Sequence, residues 1–225
     1  MNFNEMKYER INFEKVNEKY QSLLLELENS LNAKEFLSAF NKINELRIDI
    51  RTMQTLAMVR HTIDTSDEFY DEENNYWDEV SPKLQSLDSK LYIISLSKPF
   101  KEELYEFIPK TFFELASCQL KSFDDCIIED LIEENKLSSE YVKLKASAQI
   151  ELDGEILNLA QFGSKFESPD ESLRKKAYDA YVGFYKQNDK AFGDIYDKLV
   201  KIRTKIANKL GYKDFVELGY YRMSR

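Results

Sequence analysis

Apolar residues return at three- and four-residue steps along most of this chain, a pattern that predicts helices almost throughout. The central stretch is 43–80. Ile43, Leu46, Ile50, Met53, Ala57 and Arg60 follow one face of a long helix. A polar corner, His-Thr-Ile-Asp-Thr-Ser-Asp, comes next, and Phe69, Tyr76 and Val80 open a new apolar face. Upstream, Asn12 is placed to cap a helix carrying Val16, Tyr20, Leu23, Leu24 and Leu27. Asn32, with Glu35 three residues on, starts the helix that ends near His61. A third helix is predicted from about residue 65, where Ser66, Asp67 and Glu68 set acceptors and negative charge at its positive end. Pro82 should kink or break that helix, because its ring removes a backbone hydrogen bond. Residues 1–11 read as a mobile lead or an added strap.

Shorter helices are predicted around 101–107 and 110–122, and a long one over 125–145. The period then changes from helical to two. Residues 148–159 alternate apolar and polar on either side of Asp153-Gly154, a pair suited to the positive φ angles of a type I′ turn. This β-hairpin is the one strong strand signal in the chain. Two strands leave an edge unpaired, a route to self-association through 148–159 or to pairing with an extended segment. Ser168-Pro169-Asp170-Glu171 reads as a helix start: a cap, a proline in the first turn and two acids. Gly211 reads as the stop of the helix before it. The expected fold class is mainly α, a multi-helix bundle of long antiparallel helices with one small β-hairpin. The seam is expected at the hairpin, dividing the chain into 1–146 and 147–225.

Composition agrees with long helices: six Gly and four Pro in 225 residues are few for a fold built on tight turns. A net charge of −9 disfavours nucleic acid as a partner, since a duplex is a dense line of phosphates. Arg174-Lys175-Lys176 and the lysines of 198–209 alternate with core positions and read as solvated helix faces. The run 91–96 is too short to span a bilayer, so no membrane partner is expected. The N-terminal residues lack the apolar core of a signal peptide. With only Cys118 and Cys126, the thiols suggest a reducing compartment, and the expected location is the cytoplasm.

Candidate chemistry is sparse. Catalytic zinc needs three protein ligands and an open position, but there is one histidine and no H-E-x-x-H. No catalytic or metal residue is therefore assigned, and no cofactor is expected in this chain. A dyad of His61 with either cysteine has no local support. The most suggestive polar group is the corner of Arg60, His61, Asp64 and Asp67, read as a hydrogen-bonded junction between two helices.

Four segments, taken in order, carry a resemblance: INELRIDIRTMQTLAMVRHTIDTSDEFYDEENNYWDE (43–79), LSSEYVKLKASAQIELDGEILNLAQF (137–162), SPDESLRKKAYDAYVGFY (168–185) and IYDKLVKIRTKIANKLGYKDFVELGYYRM (195–223). Together they resemble the N-terminal half of the oligoendopeptidase F family, zinc metallopeptidases related to thimet oligopeptidase and neurolysin. The resemblance covers about 7–225. It implies a helical, two-lobed peptidase whose channel admits short peptides. In that family two histidines and a glutamate hold zinc, and the glutamate of H-E-x-x-H is the general base. None of these has a counterpart among these residues. The resemblance thus implies the N-terminal part of a zinc oligoendopeptidase, inactive by itself, whose partners are short peptides and a C-terminal catalytic domain. The alternative is a stand-alone helical interaction module that keeps the scaffold without the chemistry.

Overall fold

The computed structural model describes residues 3–225, and among these the chain forms ten α-helices and one two-stranded sheet. The chain divides into two compact units, residues up to 132 with 204–225, and residues 133–203.

The first unit is built on three long helices, α1 (Phe13–Glu28), α2 (Ala33–Ile63) and α3 (Glu68–Ser97). Four-residue connections at 29–32 and 64–67 fold them back as antiparallel neighbours. Each start is local chemistry. Asn12 accepts from the Lys15 N–H, Asn32 from the Glu35 N–H and Asp67 from the Tyr70 N–H. Glu35 returns its carboxylate to the Leu31 N–H at 2.9 Å, one residue before the cap, and that bond holds its pKa below the ordinary range.

The helices meet along their apolar stripes. Tyr20 and Leu27 of α1, Phe36 and Ile43 of α2, and Leu87 and Leu91 of α3 form one buried core. Two shorter helices, α4 (Lys101–Leu104) and α5 (Lys110–Lys121), add Leu104 and Phe113 to it.

Pro82 does not break α3: the helix runs unbroken from Glu68 to Ser97 with the proline inside it. The lost backbone bond is outweighed by burial, because Val80, Pro82 and Leu87 all face inward. Residues 6–11 form a strap across α2 and α3, held by the contacts described below.

A short 3₁₀ turn, Asp125–Ile127, leads into α6 (Ile128–Ala146). Strands β1 (Ile150–Leu152) and β2 (Glu155–Leu157) follow, then α7 (Phe162–Phe166), α8 (Glu171–Gln187), α9 (Asp189–Lys209) and α10 (Phe215–Arg222). The strands pair antiparallel, Ile150 with Leu157 and Leu152 with Glu155. Asp153 and Gly154 sit between them at φ 48° and 87°. Cross-strand neighbours share a face, so Ile150 and Leu157 are both buried while Ile156, opposite Glu151, points to solvent. The buried face packs with Phe162 of α7 and Ala177 and Phe184 of α8, the core of the second unit. This is how a hairpin too small to stand alone in water is stabilised.

The cap of α8 is Asp170, which accepts from the Ser172 N–H. Ser168, expected in that role, instead accepts from the Asp170 N–H at 3.2 Å, and Pro169 precedes the helix. An aspartate next to the first turn offers a charged acceptor to the dipole, which a serine two residues earlier cannot match. Gly211 stands just past α9 at φ 85°. There the Tyr212 N–H reaches back to the Ala207 carbonyl at 2.9 Å, which satisfies one of the last free carbonyls.

Candidate functional site

The polar corner between α2 and α3 is the candidate site. The end of α2 brings His61 inward and leaves it 3% exposed, with Nε2 3.1 Å from Asp71 Oδ1. Arg60, one residue earlier, projects to a different side. It donates to Tyr70 Oη at 2.7 Å and to the Met6 carbonyl at 2.5 Å, and its guanidinium lies over the rings of Phe3 and Tyr70. Asp64 accepts from the N–H and hydroxyl of Ser66, which hold its carboxyl below the usual range. Asp67 caps α3. The four residues therefore do not converge on one point. Two serve the turn, and two anchor neighbouring elements.

A second polar cluster, absent from the sequence reading, centres on Glu73, 2% exposed. Arg10 of the strap donates to it from Nε at 2.9 and 3.0 Å and from Nη2 at 2.5 Å. The Tyr8 hydroxyl donates to Glu73 Oε2 and accepts from Trp77 Nε1 at 3.1 Å. Burial and the Glu73 bond push the Tyr8 hydroxyl above its ordinary range. Tyr76 adds a bond to the Ile11 carbonyl at 2.7 Å. One signal in the sequence points to Glu73: it lies four residues before Trp77 and seven before Val80, on the inward stripe of α3. Its partners, 63 and 65 residues away, carry no such mark.

Chemically, these groups are satisfied. His61 is held by a carboxylate, Glu73 by two donors, and the hydrogen bond to Asp124 pushes the exposed Cys126 thiol above its ordinary range. Among the described residues no group of three or more His, Cys, Asp or Glu side chains is placed to hold a metal ion. Among the described residues no helix is long and apolar enough to cross a membrane.

Long antiparallel helices strapped by the N-terminal residues define the class: the chain belongs to the Peptidase M3 N-terminal domain family, whose model matches residues 3–123. Over its whole length it is similar to the N-terminal part of oligoendopeptidase-like proteins. Among solved structures, PZ peptidase A with an inhibitor is 46% identical, with a TM-score of 0.96 over all of this chain and 40% of that one. A protein assigned as an oligoendopeptidase F from Bacillus anthracis str. Ames is 44% identical, with a TM-score of 0.96 over all of this chain and 41% of that one. An oligoendopeptidase-F from Enterococcus faecium, at 16% identity and a TM-score of 0.58, shares the fold. This chain spans about 40% of the length of the first of these structures. No curated protein sequence matches it.

Proposed function

We propose that this chain is the N-terminal helical part of a zinc-dependent oligoendopeptidase that hydrolyses short peptides, and that by itself it is inactive. In this reading the metal, its ligands and the general base belong to a catalytic domain that residues 147–225 lead towards. The observation that carries the proposal is the likeness to PZ peptidase A along the whole chain, at 46% identity and a TM-score of 0.96. Both cysteines are free thiols, which supports a reducing compartment such as the cytoplasm. The channel's length limit on peptides would then arise partly from the bundle, a rigid wall rather than a source of reacting groups.

Two measurements test this. Metal analysis after dialysis, with a fluorescence-quenched peptide assay, should find neither bound zinc nor turnover in the 225-residue chain. One tightly held zinc per chain with chelator-sensitive cleavage would overturn the division of labour. Joined to the catalytic part of PZ peptidase A, the chain should restore chelator-sensitive cleavage of short peptides. A folded, zinc-loaded chimera without turnover would remove the peptidase role.

A further inference from the structure

Among α1, α2, α3 and α5 lies a cavity of about 470 Å³, within the usual size of small-molecule sites. It is distinct from the corner at His61, and its lining is not that of a core void. At its edge Asp88 accepts from Tyr20 Oη at 2.7 Å. Arg47 Nε lies 3.0 Å from Asp88 Oδ1, and Arg47 Nη2 donates to Tyr92 Oη at 3.1 Å. The Asp88 carboxylate is thus committed to Tyr20 and Arg47. Burial alone would lower the Arg47 pKa, but Asp88 outweighs it and keeps the guanidinium charged.

Arg51 also lines the cavity. Its nearest charged partner is Asp88 Oδ2 at 3.7 Å, beyond hydrogen-bond reach, and its side chain is 64% exposed. Two guanidinium groups therefore share one carboxylate, so the cavity carries an excess positive charge in a chain of net charge −9. Gln54, Gln85 and Gln119 line it as well. All three are half-buried, and among the described residues their carboxamides make no hydrogen bond. Each carboxamide thus has a donor and an acceptor uncommitted within the protein, available to a ligand's polar group. Leu84 and Leu115 supply an apolar side.

We propose that this cavity binds a small organic carboxylate, held by Arg51, with the glutamine carboxamides taking a second polar group of the ligand. A planar guanidinium matches a carboxylate in two parallel hydrogen bonds. A single excess charge favours a monoanion over a phosphate dianion. Two sources share this chemistry: a free carboxylic acid and the C-terminal carboxylate of a peptide. The inference does not rest on the peptidase reading, since no catalysis is involved.

The test is a titration of the chain followed by amide chemical shifts at Gln85 and Leu115. The probes are glutaramate, N-acetyl-dialanine and the C-terminal amide of that dipeptide. At least one acid should give saturable shifts with a Kd on the order of 1 mM, and the amide should give none. Glutaramate alone binding assigns a free acid; N-acetyl-dialanine alone assigns a peptide terminus. Arg51→Gln, at an exposed position, should weaken binding about tenfold, the loss of one charged hydrogen-bonding partner. Leu115→Trp should narrow the cavity and abolish binding, with circular dichroism confirming that both variants fold. No saturable shift with either acid, equal binding of the amide, or unchanged affinity in either folded variant would overturn the proposal.

Discussion

His61 sits at the polar corner yet has almost no contact with water, because the end of α2 turns its ring inward onto Asp71. Removing the ring takes away buried apolar surface and one hydrogen bond. His61→Ala should therefore lower stability by about 1–3 kcal/mol in urea unfolding. A change below about 0.5 kcal/mol would show that the corner contributes nothing to folding. Glu73 presents the reverse case, a buried carboxylate whose cation, Arg10, is 47% exposed. Solvent screens part of that attraction, so Arg10→Met should cost about 2 kcal/mol, less than breaking a fully buried pair. In a Glu73→Gln background the same substitution should cost much less. Equal losses in both backgrounds would mean that Arg10 acts through packing over Tyr76 rather than through charge.

Elements here begin by local chemistry and are kept by packing. α3 tolerates Pro82 because the surrounding residues are buried. Gly211 occupies the left-handed region, where any Cβ is strained, so Gly211→Ala should cost about 1 kcal/mol. Thermal unfolding unchanged by that substitution would show that the stop of α9 does not depend on it. α6 and α9 are joined by Asp130, which takes Lys205 at 2.7 Å and Lys209 at 2.5 Å. Burial would raise the Asp130 pKa, but the two lysine hydrogen bonds outweigh it and hold it below the ordinary value. A carboxylate whose pKa is depressed by folding contributes stability above its unfolded pKa of about 3.9 and loses it as pH falls through the folded value. Asp130→Asn should therefore flatten the fall in stability below about pH 4. Parallel pH profiles for the two proteins, from urea unfolding, would show that the lysine pairs do not hold Asp130 ionised.

At the scale of the molecule the two units differ in the size of their cores. The first buries long stripes of α1, α2 and α3. The second rests on a hairpin of two three-residue strands against α7 and α8. Local opening is easiest where few apolar contacts hold an element. Amides of Ile43 and Leu91 should thus exchange at least about tenfold more slowly than those of Ile150 and Leu157. Equal protection throughout would mean that the chain opens as one cooperative body.

A residue's own neighbours, three or four positions away, settle the local features of this fold. Asn12, Asn32 and Asp67 cap helices because their side chains reach amides in the next turn. The apolar stripes of α1 to α3 name the buried faces, and with them the mainly helical class. The candidate corner was legible only as a cluster in sequence; its partners were not. Which groups meet across helices depends on how the stripes cross, and that geometry has no sequence period. Tertiary structure alone paired Arg10 with Glu73 and His61 with Asp71. It also placed Pro82 inside an unbroken α3 and gathered Arg51 with three glutamines around one cavity. For His61, Glu73 and Pro82 the deciding energy is burial, which a residue acquires only from elements distant along the chain.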